Sequence, residues 1–249
     1  IELNYNSRKL IMRYFDLHLH SGFSGGQSSI DQLASVAKEL GYTGICFSEY
    51  FQNGQRVKEL KEDIAKVGKK TGIEIYLGFE ARNAKELHNL VMKRRMFDIL
   101  LVHGGELEMN RLACETPEVD ILTHPENKRN DSGLNHVLVK MAAENNVAIE
   151  INFREILHAS NRTRSLVVKS LARNIVLAKK FHAPLILSSG AISHFELRDP
   201  LAMISMANQL GLELKDAKEC MSKVPENILK QSKERKSDKW IMPGVKVVK

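Results

Sequence analysis

Seven short stretches rich in β-branched and aromatic residues recur along the chain, and stretches with helical spacing lie between them. The first set reads YFDLHLH (14–20), GICFS (44–48), EIYLGFE (74–80), DILLVH (98–103), DILTH (120–124), VAIEINF (147–153) and PLILSS (184–189); such runs predict strands. The intervening SIDQLASVAKELG, AKELHNLVMKRR, NHVLVKMAAENN and TRSLVVKSLARNIVLAKKF place apolar residues every three or four positions, as an amphipathic helix does. In the first of these, Ser29 or Asp31 offers a cap at the start and Gly41 a stop. Seven strand–helix repeats without a break predict a parallel sheet curled into an α/β, TIM-barrel-like (β/α)7 fold, in a single domain over 12–230. Two further helices, DPLAMISMANQLGL and KDAKECMSKVPENILKQS, are expected to close it. Residues 1–11 read as an N-terminal extension, because Met12 directly precedes the first strand. Residues 231–249 read as a basic, partly ordered tail.

Composition narrows the setting. A hydrophobic share of 43% is enough for a substantial core. No run reaches the ~18 apolar residues of a membrane span, and the opening IELNYNSRKL lacks the apolar stretch of a signal peptide, so a cytoplasmic protein with no membrane partner is expected. Cys46, Cys114 and Cys220 are far apart in apolar or helical contexts and read as reduced, packed thiols.

The net charge of +7 is concentrated. Between Lys230 and Lys249 stand seven cations, Lys233, Arg235 and Lys236 among them, against Glu234 and Asp238. Between Arg162 and Lys180 stand six cations and no acid. On a helix, steps of ~100° per residue gather Arg162, Lys169, Arg173 and Lys180 within about 40° of arc and put Val167, Leu171, Ile175 and Ala178 opposite. A start after Arg162 would leave three charges. Such clusters fit a polyanion, and equally fit solvated faces. Arg111, Arg154 and Arg198 flank strands and either reach phosphates or pair with Glu115, Glu155 and Asp199. Asp131 or Ser132 in NDSG suits a helix cap. Aromatics, at 6% of the chain and mostly in strand patterns, are expected to pack rather than stack on bases.

In a barrel of this type the loops after the strands build the site. Asp16, His18 and His20 alternate with Phe15, Leu17 and Leu19, which predicts that the polar three point into the barrel. Glu80, His103 and His124 end the third, fourth and fifth strands. One such histidine alone is most simply a satisfied core residue; His18, His20, Glu80, His103 and His124 together point to a metal site or its descendant.

DLHLHS opening a seven-stranded barrel resembles the polymerase and histidinol phosphatase (PHP) superfamily of metal-dependent phosphoesterases. By that resemblance His18, His20 and Glu80 match three of the four ligands of a first metal, and Glu80, His103 and His124 all three of a second. The third metal's aspartate falls near Gly25 or Gly26, the Asp-His pair of the second strand is replaced by Glu49-Tyr50, and the Asp-x-His after the last strand falls on Gly190 and Ile192. A residual one- or two-metal site is expected, of zinc or manganese, without the three-metal chemistry.

A second resemblance spans nearly the whole barrel. Asn110-Arg111, the Asp131-Ser132-Gly133 loop, Asn152, Ser188-Ser189-Gly190 and Arg198-Asp199-Pro200, in that order, resemble the protein component three family of archaeal ribonuclease P, relatives of the thirty-kilodalton subunit of the eukaryotic enzyme. The paired histidines depart from many of its members. The resemblance implies a non-catalytic subunit of the holoenzyme that removes the 5′ leader of precursor tRNA. It works with the ribonuclease P RNA, which uses Mg2+, with a small ferredoxin-like subunit and with other holoenzyme proteins, and meets precursor tRNA indirectly. No cofactor of its own is required. RNA contacts are then expected at Arg162, Lys169, Arg173, Lys180, Arg154, Arg198, Lys233, Arg235 and Lys236, by backbone and shape rather than base readout. The alternative is an active PHP-type phosphoesterase with the reduced two-metal site.

Overall fold

The computed structural model describes residues 12–238, 240–242 and 245–246. The predicted extension 1–11, and the tail residues Lys239 and Lys249, lie outside the described residues.

All seven predicted strands form: β1 (Phe15–Leu19), β2 (Gly44–Glu49), β3 (Glu74–Ala81), β4 (Ile99–His103), β5 (Ile121–Thr123), β6 (Ala148–Asn152) and β7 (Leu185–Ser188). They pair in parallel in sequence order. A bridge from Leu19 to Ala191, with His20 N donating to the Ala191 carbonyl at 2.9 Å, joins the first strand to the turn after the last and closes the barrel.

The helices are α1 (Ile30–Glu39), α2 (Gly54–Thr71), α3 (Ala84–Met92), α4 (Leu107–Glu115), α5 (His136–Glu144), α6 (Phe153–His158), α7 (Asn161–Phe181), α8 (Pro200–Gln209), α9 (Leu214–Met221) and α10 (Lys223–Arg235). Ser29 caps α1 through a reciprocal box with Gln32. The helix ends at Leu40, and Gly41 follows with φ +90°. The start of α5 is capped by Asn135, not by Asp131 or Ser132: Asp131 is engaged by Arg129 at 2.6 Å and by the Gly133 N–H. The single closing helix expected over KDAKECMSKVPENILKQS breaks at Ser222 into α9 and α10.

Two layers of core follow. Between sheet and helices lies the larger, with Leu33, Phe47, Leu60, Phe79, Leu100, Ile149, Leu171 and Ile175. Inside the barrel Phe15, Leu17, Cys46, Ile99, Leu101, Ile121, Ala148 and Ile186 meet Ile228 and Leu229 of α10, which plugs the end opposite the strand C-termini. All three cysteines are free and buried.

The plug is fastened by charge. Asp120 at the base of β5 accepts from Arg94 and, at 2.6 Å, from Arg235. Arg94 also donates to the carbonyls of Asp98 and Glu118 at 3.1 Å. A buried acid with two guanidinium partners is well compensated, so α10 continues past residue 230 and the expected tail boundary at 231 cuts through a helix. Beyond it, β8 (Trp240–Met242) pairs antiparallel with β9 (Val245–Lys246).

Strict alternation fails in β1. The β1–β2 pairing slips between Asp16 and Leu19. Phe15 and Leu17 therefore pack inside while Leu19 joins the outer layer. After the slip His18 and His20 turn into the mouth. Asp16 does not join them: its carboxylate accepts from the backbone N–H of Ser189 at 3.1 Å and of His18 at 3.3 Å.

Candidate metal centre at the barrel mouth

Five side chains from four strand ends converge at the mouth, as the strand order requires. His18 Nε2 lies 3.0 Å from His20 Nε2 and 3.8 Å from Glu80 Oε1. His20 Nε2 is 3.8 Å from Glu80 Oε2, and His103 Nδ1 is 3.2 Å from Glu80 Oε1. Potential ligand atoms of His18, His20 and Glu80 fall within 4.8 Å of one another, as do those of Glu80, His103 and His124. Glu80 thus stands between two sets. Thr123 Oγ1 donates to Glu80 Oε1 at 2.6 Å and fixes it.

The structure adds a carboxylate that the strand-end pattern missed. Glu150 of β6 accepts from His18 Nδ1 at 2.6 Å and from the Ser188 hydroxyl, while its other oxygen receives the His124 N–H at 3.3 Å. With His18 and His124 it forms a third group of ligand atoms within 4.8 Å. The signal was present in the sequence: VAIEINF puts one acid at an inward position of a buried strand, between Ala148 and Asn152 on the same face. Glu155, at the start of α6, approaches His124 Nδ1 at 3.0 Å, in an alignment too poor for a hydrogen bond. Glu126 is also buried beside His124, and burial pushes its carboxyl up to about 8.

Electrostatics at the mouth is a contest between burial and pairing. Burial raises a carboxyl, yet the His103 hydrogen bond and the His18 and His20 charges hold Glu80 well below its usual range. Glu150 falls to about 2 against the same penalty because His18 sits on it. Burial lowers His18 and His124, but Glu150 raises the first, and Glu155 and Glu150 raise the second to about 9. His20 drops to about 3 through burial and the His18 charge.

The donors fit a divalent ion. Glu80 Oε2 is buried with no hydrogen-bond partner, a costly state unless something else takes that atom. Imidazole and carboxylate donors together suit zinc or manganese. His18, His20 and Glu80 would hold one ion and Glu80, His103 and His124 a second; Glu150 would orient His18 from behind.

Positions where further ligands would stand are used otherwise. Glu49 is buried and accepts from the Ser21 N–H at 3.1 Å and from the Ser21 and Ser24 hydroxyls, so it staples the turn after β1. Tyr50 stacks beside His20 at 5.4 Å, under the Arg82 guanidinium at 4.3 Å. At Gly190, φ is +62° and a Cβ would meet the Asn152 amide at 2.4–2.8 Å. No aspartate fits there while Asn152 caps α6 through Arg154 N.

Asn110 explains the neighbouring loops. Fully buried, it donates to the carbonyls of Pro125 at 2.9 Å and Gly133 at 2.8 Å and accepts from the Gly105 N–H at 3.0 Å. It ties together the loops that carry His103 and His124. Gly133 has φ +71°, and a Cβ there would lie 1.7 Å from the Pro125 carbonyl oxygen, so only glycine fits.

The expected RNA contacts divide. Arg162, Lys169, Arg173 and Lys180 are all exposed on α7, with Leu171, Ile175 and Ala178 buried opposite. Because the helix starts at Asn161, Arg162 lies within it. Lys179, off this line, is held by Glu213 and Asp216. Arg154 is half-buried, its Nε without a partner, and Glu155 faces His124 instead. Arg198 donates to the carbonyls of Phe195 and Leu197 rather than to Asp199, which caps α8. Arg111 pairs with Glu115 at 2.7 Å. Lys233 is exposed. Arg235 is not an RNA-facing cation: it is 9% exposed and bound to Asp120. Lys236 is exposed but paired with Asp98.

A seven-stranded parallel barrel with a histidine–carboxylate mouth is the architecture of PHP-like proteins. In agreement, histidinol phosphate phosphatase of Lactococcus lactis, solved with zinc, L-histidinol and phosphate, superposes with a TM-score of 0.60 at 16% identity over 82% of this chain and 94% of that one, a likeness of fold. Nearer similarity is specific. The sequence matches the RNase P subunit p30 family over residues 13–237, and the chain belongs to that family. Ribonuclease P protein component 3 of Methanosarcina barkeri is 36% identical over 95% of this chain and 96% of its own length. That of Methanosarcina mazei is 37% identical over 94% and 95%. A chain in the cryo-EM structure of archaeal ribonuclease P with mature tRNA matches with a TM-score of 0.80 and 28% identity, over 94% of this chain and 98% of that one. The chain is a protein subunit of ribonuclease P. Among the described residues no helix is long and apolar enough to cross a membrane.

Proposed function

We propose that the subunit acts as an RNA-facing scaffold: it supports the ribonuclease P RNA during 5′-leader removal from precursor tRNA and catalyses nothing on its own. The observation that carries this reading is the α7 ridge, four exposed cations on one line of a helix whose opposite side is buried. Such a ridge neutralises phosphates and releases counterions without reading bases. Lys233 adds to it, and Arg154 and Arg198 flank the mouth. The small ferredoxin-like subunit is its protein partner, and Mg2+ serves the RNA component.

The metal centre is part of the proposal. Purified protein carries zinc or manganese at His18, His20, Glu80, His103 and His124, where the ion would tie the strand ends together and, as a Lewis acid, polarise a bound oxygen. A two-metal phosphoesterase is the second reading, favoured by the complete Glu80–His103–His124 set; Glu49 and Gly190 weigh against it, since both are committed to holding loops.

The deciding experiment is 5′ processing of a precursor tRNA by the cognate catalytic RNA at limiting magnesium, with and without this protein and its ferredoxin-like partner. Stimulation that needs both proteins supports the scaffold. Metal-dependent hydrolysis of phosphate esters by the isolated protein, abolished by His103→Ala, supports the second reading instead.

A further inference from the structure

Phe195 lies in the short 3-10 turn His194–Glu196 after β7 and is 78% exposed, the only aromatic among the exposed large hydrophobic side chains of the described residues. Its exposure is not that of a loose loop. His194 is tied to Ser28 through its ring at 2.8 Å and its backbone N–H at 3.1 Å. Glu196 receives His158 at 2.7 Å and the Ile192 N–H at 2.9 Å. Arg198 Nη1 donates to the carbonyls of Phe195 at 2.9 Å and Leu197 at 2.7 Å. Both neighbours are held inward, so the Phe195 ring is held outward. The His194 ring backs it at 4.0 Å, tilted by 37°.

Arg198 belongs to the same loop, and its guanidinium lies over the Phe153 ring at the start of α6 at 5.5 Å. Arg154, which follows Phe153, has its Nε buried, and its charge acts on His20 and Tyr50 at the mouth. The nearby acids are occupied: Glu155 faces His124, and Glu196 holds His158. An outward, rigid aromatic braced by an arginine of its own loop is an arrangement that stacks a nucleobase and sets a positive charge near its flanking phosphate.

We infer that Phe195 is a stacking platform for an unpaired nucleobase, with Arg198 beside an adjoining phosphate. This rests on the RNA-facing reading of the subunit and adds to it a site that the cationic ridge does not contain. Stacking is tolerant of base identity, because every base offers a π-face, so the platform favours single-stranded or bulged RNA over helices.

The test uses the protein assembled with its ferredoxin-like partner and two probes added separately, the ribonuclease P RNA and a precursor tRNA. Phe195→Ala is expected to weaken binding of one of them about 5- to 100-fold while leaving the salt slope unchanged, since no phosphate contact is lost. Phe195→Trp restores binding, and its emission is quenched by that RNA, which identifies the strand. Wild-type affinity of Phe195→Ala for both RNAs overturns the inference. So does Phe195→Trp emission that ignores both RNAs, or that changes on adding the protein partner alone, which would make the turn a protein contact. If Lys169→Gln/Arg173→Gln weakens binding but Phe195→Ala does not, the platform fails and the RNA-facing reading stands. If neither does, that reading fails with it.

Discussion

Removing charge from the middle of the α7 ridge isolates the electrostatic contribution of one surface. Lys169 and Arg173 are exposed in the middle of the ridge, each about two turns from the ridge cation next beyond the pair. Replacing both by glutamine preserves helix propensity and should change stability by no more than about 0.5 kcal/mol. Each neutralised phosphate contributes ~0.7–0.9 to the slope of log affinity against log salt. The four-cation ridge then accounts for a slope near −3, and RNA binding through it should fall about 100-fold between 50 and 200 mM salt. The double variant keeps two cations, for a slope near −1.5 and a loss of about tenfold over the same range. Contacts elsewhere in the complex add equally to both proteins, so the difference in slopes is the diagnostic quantity. Filter binding or fluorescence anisotropy with the ribonuclease P RNA, in the presence of the protein partner, measures it. A double variant that retains the wild-type slope would show that the ridge meets no RNA.

Asn110→Ala removes three buried hydrogen bonds and leaves the Pro125 and Gly133 carbonyls and the Gly105 N–H without partners. It should cost roughly 3–5 kcal/mol, read as a lower urea midpoint at constant m value. Asp120→Ala strands Arg94 and Arg235 at the barrel floor and should destabilise by about 3–5 kcal/mol. Arg235→Ala should cost less, because Arg94 still compensates Asp120, and equal losses would show that Arg94 alone does not compensate that acid. Elemental analysis of protein purified without chelator should find zinc or manganese, and Glu150→Gln should lower metal affinity about tenfold by loosening His18. Metal-free protein, or unchanged affinity in Glu150→Gln, would end that reading of the mouth. At Glu49, glutamine substitution should free the Ser21–Ser24 turn, seen as faster amide exchange there with the barrel core unchanged.

The order and type of the elements were legible because they rest on local periodicity. All seven strands formed where the apolar runs lie, the capping box at Ser29 formed from neighbours in sequence, and the two faces of α7 separated as 100° steps require. Most of the mouth was legible for a related reason: once the strands close in order, residues at their C-termini must meet. Where local pattern misled, a distant partner had overruled it. Alternation in β1 is broken by a slip against β2, which turns Asp16 away from the histidines. Arg235, one cation in a basic run, is drawn inward by Asp120, 115 residues earlier. Glu150 looked like one more acid until the fold set it against His18, 132 residues away. For this chain the sequence by itself determined the barrel, its strand order and the histidines at its mouth, because period and spacing are properties of contiguous residues. Which charges are buried, which are free for RNA and what supports each ligand were decided only by tertiary structure, because desolvation and pairing depend on neighbours that only folding supplies.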